Sequence, residues 1–416
     1  MSSIPTSTPV YITKNGLRFV KPYNFPYKAS VKQRWFGRTV FDVYTSEFRD
    51  KPANNYLLNI LNGNFTLRKN PNSLKNHVDY FGSCLLHDVR ITKNDKIFHI
   101  DHIHEPPVPS LSSSSMVLHN NTNKIPNDEG FTIPVIYQDD DIIVVNKPPG
   151  IPSLPVNQYR FNTVIEILKI ERGFKQLFPV HRLDKLTSGV LIFGKSLEAA
   201  VRFKQLIKVA GTVEKTYVAK VKGHFEITSG SKCSYSCFNV GDIIKNKDGS
   251  ITLDQHVIHI YAALKQVRNL PAASKFKLLS YDPFKDESLV ECKPITGKTH
   301  QLRIHLRNLG FPIINDPLYG PNKIYSRIIT HRDQLSLNEW DTYLNGLFSL
   351  AQKLKLQKKV RDDGESSKCD VCKIQLFKDP VPEDLFICLH SRSYQLTVPE
   401  KEKTYLFEAE LPDWYH

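Results

Sequence analysis

The sequence predicts an α+β protein in two parts, and three observations support this prediction. Two helix-like stretches, residues 40–44 and 56–61, lead into short β-like runs in the first part. A polar, Ser- and Asn-rich stretch follows at residues 109–130, of a kind that cannot form a packed core. Beyond it, β-branched runs at 133–137 and 142–145 flank an acidic turn, which is typical of paired strands.

These changes in pattern give the expected domain organisation. In the first part, β-like runs follow the helices at residues 89–91 and 96–100. Near the C-terminus, a Leu- and Lys-rich helix-like stretch at 347–359 leads into a polar run, and further strands are expected at 385–390 and 405–409. We therefore expect four segments: a tail at 1–27, a module at 28–108, a linker at 109–130, and a larger domain at 131–416 with an insertion at about 322–379.

Composition and charge narrow the class of protein. The chain has 416 residues, of which 40% are hydrophobic and 24% charged, as in an ordinary folded protein rather than a fibrous one. Its 56 basic and 42 acidic side chains give a formal charge of +14, which favours a polyanionic partner, with nucleic acid first. No stretch approaches the ~20 continuous apolar residues of a membrane span. We expect a soluble, intracellular protein with no membrane association.

The N-terminal sequence does not decide between a cytoplasmic and a mitochondrial location. The first twenty residues carry basic, Ser and Thr side chains and no acidic one, as in a weak mitochondrial signal. They also contain Pro5 and Pro9 and few Arg residues, which argues against such a signal. The expected location is therefore the cytoplasm, with mitochondria as an alternative.

The cysteines favour a reduced compartment, since the chain has seven of them without a regular disulfide framework. Cys369 and Cys372 have the spacing of a zinc-binding pair, but a structural zinc site needs four ligands. The only other near-pair, Cys233 and Cys237, is distant in sequence, and His390 is one further candidate ligand. We therefore expect no metal site.

The segment His181–Gly189 (HRLDKLTSG) carries the strongest chemical signal. It places Asp184 beside basic residues on a loop that enters the apolar run Val190–Phe193. A carboxylate beside fixed cations stays ionised while shielded from water, which suits a nucleophile or a base. A purely structural ion pair would give the same pattern, so further motifs must decide between the two interpretations.

Four motifs in a fixed order favour the catalytic interpretation of Asp184. They are Asn146–Ile151 (NKPPGI), His181–Gly189, Glu214–Tyr217 (EKTY) and Pro294–His305 (PITGKTHQLRIH). Together they resemble the RluA-type family of pseudouridine synthases, from about residue 133 to 320 and again after the insertion. The resemblance implies a mixed, largely antiparallel sheet flanked by helices. The N-terminal helices and strands resemble a small S4-type RNA-binding module.

The resemblance also implies catalytic roles for three residues and no cofactor. Asp184 matches the essential aspartate, which attacks the ribosyl carbon or removes a ribose proton so that uracil can detach, turn and rejoin through C5. Tyr217 matches the tyrosine that stacks on the detached base and helps to remove the C5 proton. Arg303 matches the basic residue that pairs with the catalytic carboxylate.

A second group of residues is expected to contact the RNA. The base must leave its stack before the carboxylate can reach it, and Arg182 matches the residue that assists this step. His181 is expected to be a neighbouring contact rather than an acid or a base, and the lysines of the group to meet phosphates. The remaining members are Lys147, Lys298, Thr299, His300 and Gln301. Two departures concern only the rim of the cleft: many relatives have Arg at Lys298 and His within 153–155.

Several short segments point to a particular RNA. Asn15–Arg18, Val31–Trp35, His102–Val108, the Cys-x-x-Cys segment and Leu411–Trp414 resemble fungal enzymes that modify position 31 or 32 of the tRNA anticodon stem. The short N-terminus and the lack of a fused deaminase domain favour position 31. Position 32, rRNA, and a non-catalytic RNA-binding protein are the alternatives. We expect tRNA as the partner of a monomer with no obligatory protein partner.

Overall fold

The computed structural model describes residues 9–48, 51–70, 77–110, 133–209, 211–227, 243–261, 266–320, 368–372, 374, 376–398 and 403–416. The helix expected at 347–359, most of the linker, and Cys233 and Cys237 lie outside the described residues. The chain divides into two compact units. Unit 1 holds the described parts of Met1–Ile12, Val20–Glu105 and Lys358–Lys378, and unit 2 those of Thr13–Phe19, Pro106–Gln357 and Asp379–His416.

A small sheet forms at the start of the chain. Its strands, in the order β1-β2-β7, are β1 (Tyr11–Lys14), β2 (Leu17–Val20) and β7 (Val108–Pro109).

Unit 1 is a four-stranded antiparallel sheet with helices packed against it. The strands lie in the order β3-β6-β4-β5. They are β3 (Tyr23–Ser30), β4 (Phe65–Lys69), β5 (Val78–Phe81) and β6 (Lys96–Ile103). The helices are α1 (Val40–Glu47), α2 (Ala53–Leu61) and α3 (Cys84–His87), with a 3-10 turn at Gln33–Trp35. They enclose a core of their own that includes Trp35, Tyr44, Ile60 and Phe65.

Local chemistry explains where the two main helices of unit 1 begin and end. Thr39 caps α1, because its side chain accepts a hydrogen bond from the Asp42 N–H at 3.1 Å. Gly63, with φ +76°, follows the end of α2 and lets the Asn64 N–H return to the carbonyl of Asn59 at 2.9 Å. The predictions of helices at 40–44 and 56–61, followed by a turn, are confirmed.

One strand prediction in unit 1 is confirmed and one is wrong. Residues 96–100 lie in β6, but 89–91 have no regular structure. Ile91 is fully buried, its N–H donates to the Arg38 carbonyl at 2.8 Å, and its carbonyl accepts from the Gly37 N–H. The apolar run therefore reflects burial of a loop in the core, which a β-branched pattern alone cannot distinguish from a strand.

Unit 2 is built on an eleven-stranded mixed sheet. The order is β13-β14-β17-β18-β12-β19-β11-β9-β8, with β10 on β11 and β20 on β19. The strands before residue 250 are β8 (Val135–Gln138), β9 (Ile142–Lys147), β10 (Phe178–Pro179), β11 (Ser188–Gly194), β12 (Val213–Lys222) and β13 (Ile243–Lys245). Those after it are β14 (Ile251–Asp254), β17 (Ala273–Asp282), β18 (Glu287–Pro294), β19 (Leu389–Val398) and β20 (Lys403–Glu408).

The rest of unit 2 covers this sheet or extends from it. A separate hairpin consists of β15 (Val257–Tyr261) and β16 (Gln266–Leu270). The helices are α4 (Val164–Glu171), α5 (Leu197–Leu206) and α6 (Gln301–Asn308), with 3-10 turns at Pro382–Leu385 and Asp413–Tyr415. In the sheet only β11 and β19 pair in parallel among the strands described. The predicted α+β class with a mixed, largely antiparallel sheet is confirmed.

The parallel pair requires a glycine. Gly189 lies opposite Ser391, and its φ is +107°, where L side chains are strained. A Cβ at this position would lie 2.1 Å from the Ser391 carbonyl oxygen. Gly189 therefore lets β11 and β19 approach directly after the loop that carries Asp184.

The remaining strand predictions have mixed outcomes. The hairpin at 133–145 is confirmed by β8 and β9, and 405–409 falls largely in β20. Residues 385–390 were expected to be a strand, but β19 begins only at Leu389. Ile387 and Cys388 are buried beside the sheet, and Ile387 N–H donates to the Leu186 carbonyl instead of a strand ladder. Among the helices described, none is both long and apolar enough to cross a membrane.

Candidate active site

Asp184 lies in the short loop between β10 and β11, and buried neighbours hold this loop in place. Ser153 Oγ donates to the Leu183 carbonyl at 3.0 Å and accepts from the Leu183 N–H at 3.2 Å. The Thr187 N–H donates to the Asp184 carbonyl at 3.2 Å. Leu183 is buried, whereas the Asp184 side chain is 22% exposed. The loop therefore presents one carboxylate toward solvent from a fixed backbone.

Lys147 supports the same loop from inside the protein. Its side chain is fully buried, and its three N–H groups donate to the carbonyls of Pro148, Lys185 and Thr187 at 2.7 to 3.0 Å. Burial lowers the pKa of Lys147 to about 7, and the nearby Asp184 partly opposes this shift. The expectation that Lys147 meets an RNA phosphate is corrected, because all of its donors are used within the fold.

Arg303 holds the Asp184 carboxylate from helix α6. Its Nη1 lies 3.0 Å from Asp184 Oδ2. Its Nε and Nη2 donate to the two oxygens of Asp316 at 2.7 and 2.9 Å, a bidentate pair that fixes the guanidinium plane. The Arg303 side chain is only 4% exposed and that of Asp316 is fully buried. The expected pairing of Arg303 with Asp184 is present in the structure.

The charge of Arg303 and those of the two aspartates, Asp184 and Asp316, interact favourably. Burial disfavours the charge on Arg303, but the hydrogen bonds and the charge of Asp316, together with Asp184, raise the Arg303 pKa above its ordinary value. Burial would raise the pKa of Asp316, yet Arg303 and two backbone N–H groups lower it overall. A permanent cation therefore lies 3.0 Å from the Asp184 carboxylate.

His300 approaches the same carboxylate from the start of α6. It has a left-handed backbone, with φ 55°, at the N-cap position. Its Nε2 lies 3.5 Å from Asp184 Oδ2, and its Nδ1 lies 2.9 Å from the hydroxyl of Tyr319. The Tyr319 ring also packs over the Arg303 guanidinium at 5.1 Å. Backbone strain of this kind is concentrated at functional sites.

Gln301 has a different position from the one expected. It is buried, and its Oε1 accepts from Thr296 Oγ1 at 2.7 Å and from the Lys298 N–H at 3.0 Å. Its Nε2 donates to the Ala273 carbonyl and to Ser274 Oγ. Gln301 therefore shapes the loop that carries Lys298 and His300. The expectation of an RNA contact by Gln301 is corrected, because its amide is already fully hydrogen bonded.

Tyr217, on β12, belongs to a chain of three polar groups. Its hydroxyl lies 3.2 Å from that of Tyr394, and the Tyr394 hydroxyl lies 3.4 Å from His181 Nδ1. The His181 and Tyr394 rings are stacked, with centroids 4.6 Å apart. Because the Ile192 N–H donates to His181 Nε2 at 3.2 Å, the proton of the neutral ring is on Nδ1. Nδ1 therefore donates to Tyr394, which in turn can donate to Tyr217.

Burial sets the protonation of this chain. It lowers the pKa of His181 to about 3, with Lys215 adding to the effect, so the ring is neutral near pH 7. Burial also raises the pKa of Tyr217, while the hydrogen bond from Tyr394 opposes that shift. The neutral His181 ring therefore cannot supply a proton as an imidazolium near pH 7. Its expected contact with RNA stays a prediction.

A cleft of ≈ 1180 Å³ exposes these groups, and Asp184, Tyr217 and Arg303 all line it. Besides Arg303, its walls carry six Lys and Arg side chains: Arg182, Lys208, Lys215, Lys275, Lys293 and Lys298. Lys275 pairs with Asp248, and Lys293 with Glu214. The other four form no ion pair with any residue that the structure describes. With the predicted Arg182, Lys298 and exposed Thr299, this surface suits a large anionic ligand.

The structure adds site residues that were not singled out from the sequence. Asp316 and Tyr319 lie in a segment whose resemblance was noticed, but only the fold shows that they orient Arg303 and His300. Lys215 lies in the same motif as Tyr217, and its Nζ is 5.8 Å from the Tyr394 ring centroid. Tyr394 itself follows the insertion, and no pattern in the sequence pointed to it.

Comparison with known proteins decides the family. The family model described as RNA pseudouridylate synthase matches residues 141–308. A tRNA pseudouridine(31) synthase of Saccharomyces cerevisiae is 32% identical, and the alignment covers 97% of this chain and 96% of that protein. The chain belongs to the RNA pseudouridylate synthase family. A mitochondrial tRNA pseudouridine(32) synthase of the same yeast is 31% identical over 96% of this chain and 77% of that protein.

A plant protein is also similar to this chain in sequence. RNA pseudouridine synthase 7 of Oryza sativa subsp. japonica is 34% identical, with 74% of this chain and 67% of that protein covered. The matched family region contains Asp184, Tyr217, His300 and Arg303, but neither Asp316 nor Tyr394. Two residues that orient the central groups thus come from outside it.

Proposed function

We propose that this protein converts a uridine of tRNA into pseudouridine, at position 31 of the anticodon stem. The observation that carries the proposal is the cleft in which Arg303 holds the Asp184 carboxylate at 3.0 Å beside Tyr217. The choice of tRNA is supported by the names of the two yeast relatives. Position 31 is favoured because the alignment covers 96% of that enzyme, against 77% of the position 32 enzyme.

Asp184 starts the reaction by one of two routes. In the first, its carboxylate attacks C1′ of the ribose, the C1′–N1 bond breaks, and the electron pair leaves with the uracil. In the second, Asp184 removes a ribose proton, and the same glycosidic bond breaks as a ribose double bond forms. The uracil then turns and its C5 bonds to C1′, as the Asp184–C1′ ester bond breaks in the first route or as Asp184 returns its proton to the ribose in the second. The C5 proton then leaves and N1 gains a proton. Both routes are redox-neutral and balanced without another reactant.

The groups around Asp184 have complementary roles in this proposal. Arg303 orients the carboxylate, while Asp316 fixes Arg303. Tyr217 stacks on the detached base and, once its own hydroxyl proton has left to solvent, accepts the C5 proton as the phenolate, helped by the hydrogen-bonded chain from His181 through Tyr394. A hydrogen bond from Tyr394 stabilises the phenolate that proton removal from C5 requires.

RNA binding uses the basic wall of the cleft. Arg182 is exposed next to Asp184 and is placed to occupy the gap left by the extruded uridine. Lys208, Lys215 and Lys298 provide charges for nearby phosphates. Unit 1 acts as the S4-like RNA-binding module, which reads the shape of the tRNA. The protein works as a monomer without an obligatory protein partner.

The compartment of the enzyme is part of the proposal. We infer a cytoplasmic enzyme, with a mitochondrial pool as the second candidate because one yeast relative is named as mitochondrial. Pseudouridine mapped separately in cytosolic and mitochondrial tRNA, with and without this protein, identifies the pool. A site that depends on the protein in only one fraction assigns the enzyme to that fraction.

Two tRNA transcripts test the position. One carries uridine at position 31 and cytidine at 32, and the other the reverse, so that each offers one target. Purified protein is expected to form pseudouridine in the first transcript at least about tenfold faster than in the second. The reverse ratio would assign position 32. Activity on rRNA fragments alone would contradict the tRNA proposal, and no activity on total unmodified RNA would favour a non-catalytic RNA-binding protein.

A further inference from the structure

Four metal-ligating side chains come together in unit 1, separate from the residues of the cleft in unit 2. Two histidines come from the end of β6 and the residue after it, and two cysteines from a short turn far along the chain. One ligand atom of each lies within 4.8 Å of all the others. The four residues are His102, His104, Cys369 and Cys372.

The spacing fits one tetrahedral ion. With Zn–S bonds of about 2.3 Å and Zn–N bonds of about 2.0 Å, ligand atoms on a tetrahedron lie roughly 3.3 to 3.8 Å apart. The His104 Nε2 and Cys372 Sγ atoms are already 3.3 Å apart. The other distances need to shorten by about 1.5 Å at most, which side-chain rotation can provide because all four residues are half-buried.

The surroundings orient the ligands as in known zinc sites. His102 Nδ1 lies 3.1 Å from Asn24 Oδ1, which leaves Nε2 as the ligand atom. The Val371 N–H donates to Cys369 Sγ at 3.3 Å, and a hydrogen bond of this kind stabilises a thiolate. Asn55 Nδ2 donates to the Cys372 carbonyl at 3.1 Å and anchors the turn. The turn is closed by the Cys369 N–H, which donates to Ile374 at 2.9 Å.

We propose that these four side chains bind one zinc ion. Each thiol releases its proton to solvent on binding, so two thiolates balance the two charges of the ion, and the imidazoles bind in their neutral form. Two sulfur and two nitrogen ligands without an open position are typical of a structural site. The proposal revises the expectation of no metal site, and it replaces His390, whose Nδ1 lies 2.8 Å from Ser188 Oγ in unit 2.

The zinc ion joins two distant segments of unit 1. His102 and His104 belong to the sheet strand β6 and its end, whereas the cysteines follow most of unit 2 in the sequence. A Cys-x-x-Cys turn has little core of its own, so metal coordination adds to the Asn55 hydrogen bond in fixing it to unit 1. The site therefore contributes to the stability of unit 1 and takes no part in the chemistry at Asp184.

The metal content of the full-length protein tests the proposal. Protein purified without chelator is analysed by inductively coupled plasma mass spectrometry as wild type, as the double variant Cys369→Ser and Cys372→Ser, and as the control Cys84→Ser. Cys84 is a half-buried cysteine of the same unit. Wild type and control are expected to hold about one zinc ion per chain, and the double variant less than about a tenth of that.

A cobalt titration covers the case in which the double variant does not fold. Wild-type protein is stripped of metal under reducing conditions and titrated with Co²⁺, which should give the absorption bands of tetrahedral cobalt with thiolate ligands, and Zn²⁺ should abolish them. Wild-type protein that carries no zinc and gives no such bands would overturn the proposal. Equal zinc content in wild type and double variant, or a Cys369–Cys372 disulfide in protein from reducing cells, would overturn it as well.

Discussion

Arg303 Nη1 donates a hydrogen bond to Asp184 Oδ2 at 3.0 Å, while the Nε and Nη2 of the same guanidinium are held by Asp316. One planar side chain thus connects a partly exposed carboxylate to a fully buried one. The position of Asp184 is therefore determined from two directions, by its own loop and by helix α6. The first two predictions follow from this arrangement.

Replacing the guanidinium should slow catalysis without preventing RNA binding. A lysine at position 303 keeps a positive charge but cannot reach both carboxylates as a planar fork. We expect Arg303→Lys to lower kcat about 100-fold, as for the loss of one preorganised charge contact, with KM little changed. The measurement is the rate of pseudouridine formation. Arg307→Lys on the same helix serves as the control, and equal losses in both variants would contradict the prediction.

Asp316 should matter for stability as well as activity. Asp316→Asn removes the buried one of the two carboxylates that pair with Arg303, and breaking a buried pair of this kind costs about 3 to 5 kcal/mol of unfolding free energy. The denaturation midpoint in urea measures this loss. Asp248→Asn removes an exposed pair with Lys275 and should leave the midpoint unchanged. A midpoint for Asp316→Asn equal to that of the wild type would show that the buried pair is not required.

The hydrogen-bonded chain behind Tyr217 should affect the chemical step. Tyr394→Phe keeps the stacked ring on His181 but removes the hydroxyl 3.2 Å from that of Tyr217. We expect about a tenfold lower kcat and an unchanged KM. Activity should partly recover at higher pH, because without the hydrogen bond from Tyr394 the Tyr217 phenolate forms only at higher pH. A pH–rate profile provides the readout. Identical profiles for Tyr394→Phe and wild type would rule out the assistance.

Two buried histidines should make the protein less stable in mild acid. Burial lowers the pKa of both His305 and His390 to about 4, below the unfolded value near 6.5. Between these values the unfolded chain binds more protons, so stability is complete above pH 6.5 and falls as the pH drops toward 4. At pH 5 each histidine costs about 2 kcal/mol of unfolding free energy.

Urea unfolding at pH 7.5 and pH 5 tests this pH dependence. His390→Gln should reduce the difference in unfolding free energy between the two pH values, because the glutamine does not titrate. His224→Gln is the control, since the His224 side chain is 46% exposed. A difference that His390→Gln leaves unchanged would contradict the prediction.

The close approach of β11 and β19 predicts a strong effect of a single methyl group. Gly189→Ala places a Cβ 2.1 Å from the Ser391 carbonyl oxygen, so the parallel pair must separate. Gly249 also has a positive φ but nothing within 4 Å of a Cβ, so Gly249→Ala adds only backbone strain of about 1 kcal/mol. Thermal unfolding should show a much lower Tm for Gly189→Ala. Similar Tm values for the two variants would contradict the steric explanation.

The sequence predicted the parts of the fold and site that depend on local pattern. The helices α1 and α2, the hairpin of β8 and β9, and the strand after Asp184 follow from hydrophobic periodicity and turn residues. Asp184, Tyr217 and Arg303 could be chosen because their motifs occur in a recognisable order. The α+β class and the family were confirmed for the same reason.

The errors concern side chains whose surroundings come from distant parts of the chain. Lys147 and Gln301 look available for RNA in the sequence, but the fold surrounds them with backbone carbonyls. The cysteine pair was considered without His102 and His104, because only the approach of residues 368–372 to β6 brings the four together. Long-range contacts of this kind leave no periodic signal in a single sequence.

The central claim is that the Asp184 carboxylate begins the reaction. The most direct test compares wild type and Asp184→Ala on unmodified tRNA, with pseudouridine mapped at single-nucleotide resolution and tRNA binding measured in parallel. We predict that the variant binds tRNA within about threefold of wild type and forms no detectable pseudouridine, as expected when an essential nucleophile is removed. Pseudouridine formed by Asp184→Ala at the wild-type position would contradict the proposed mechanism.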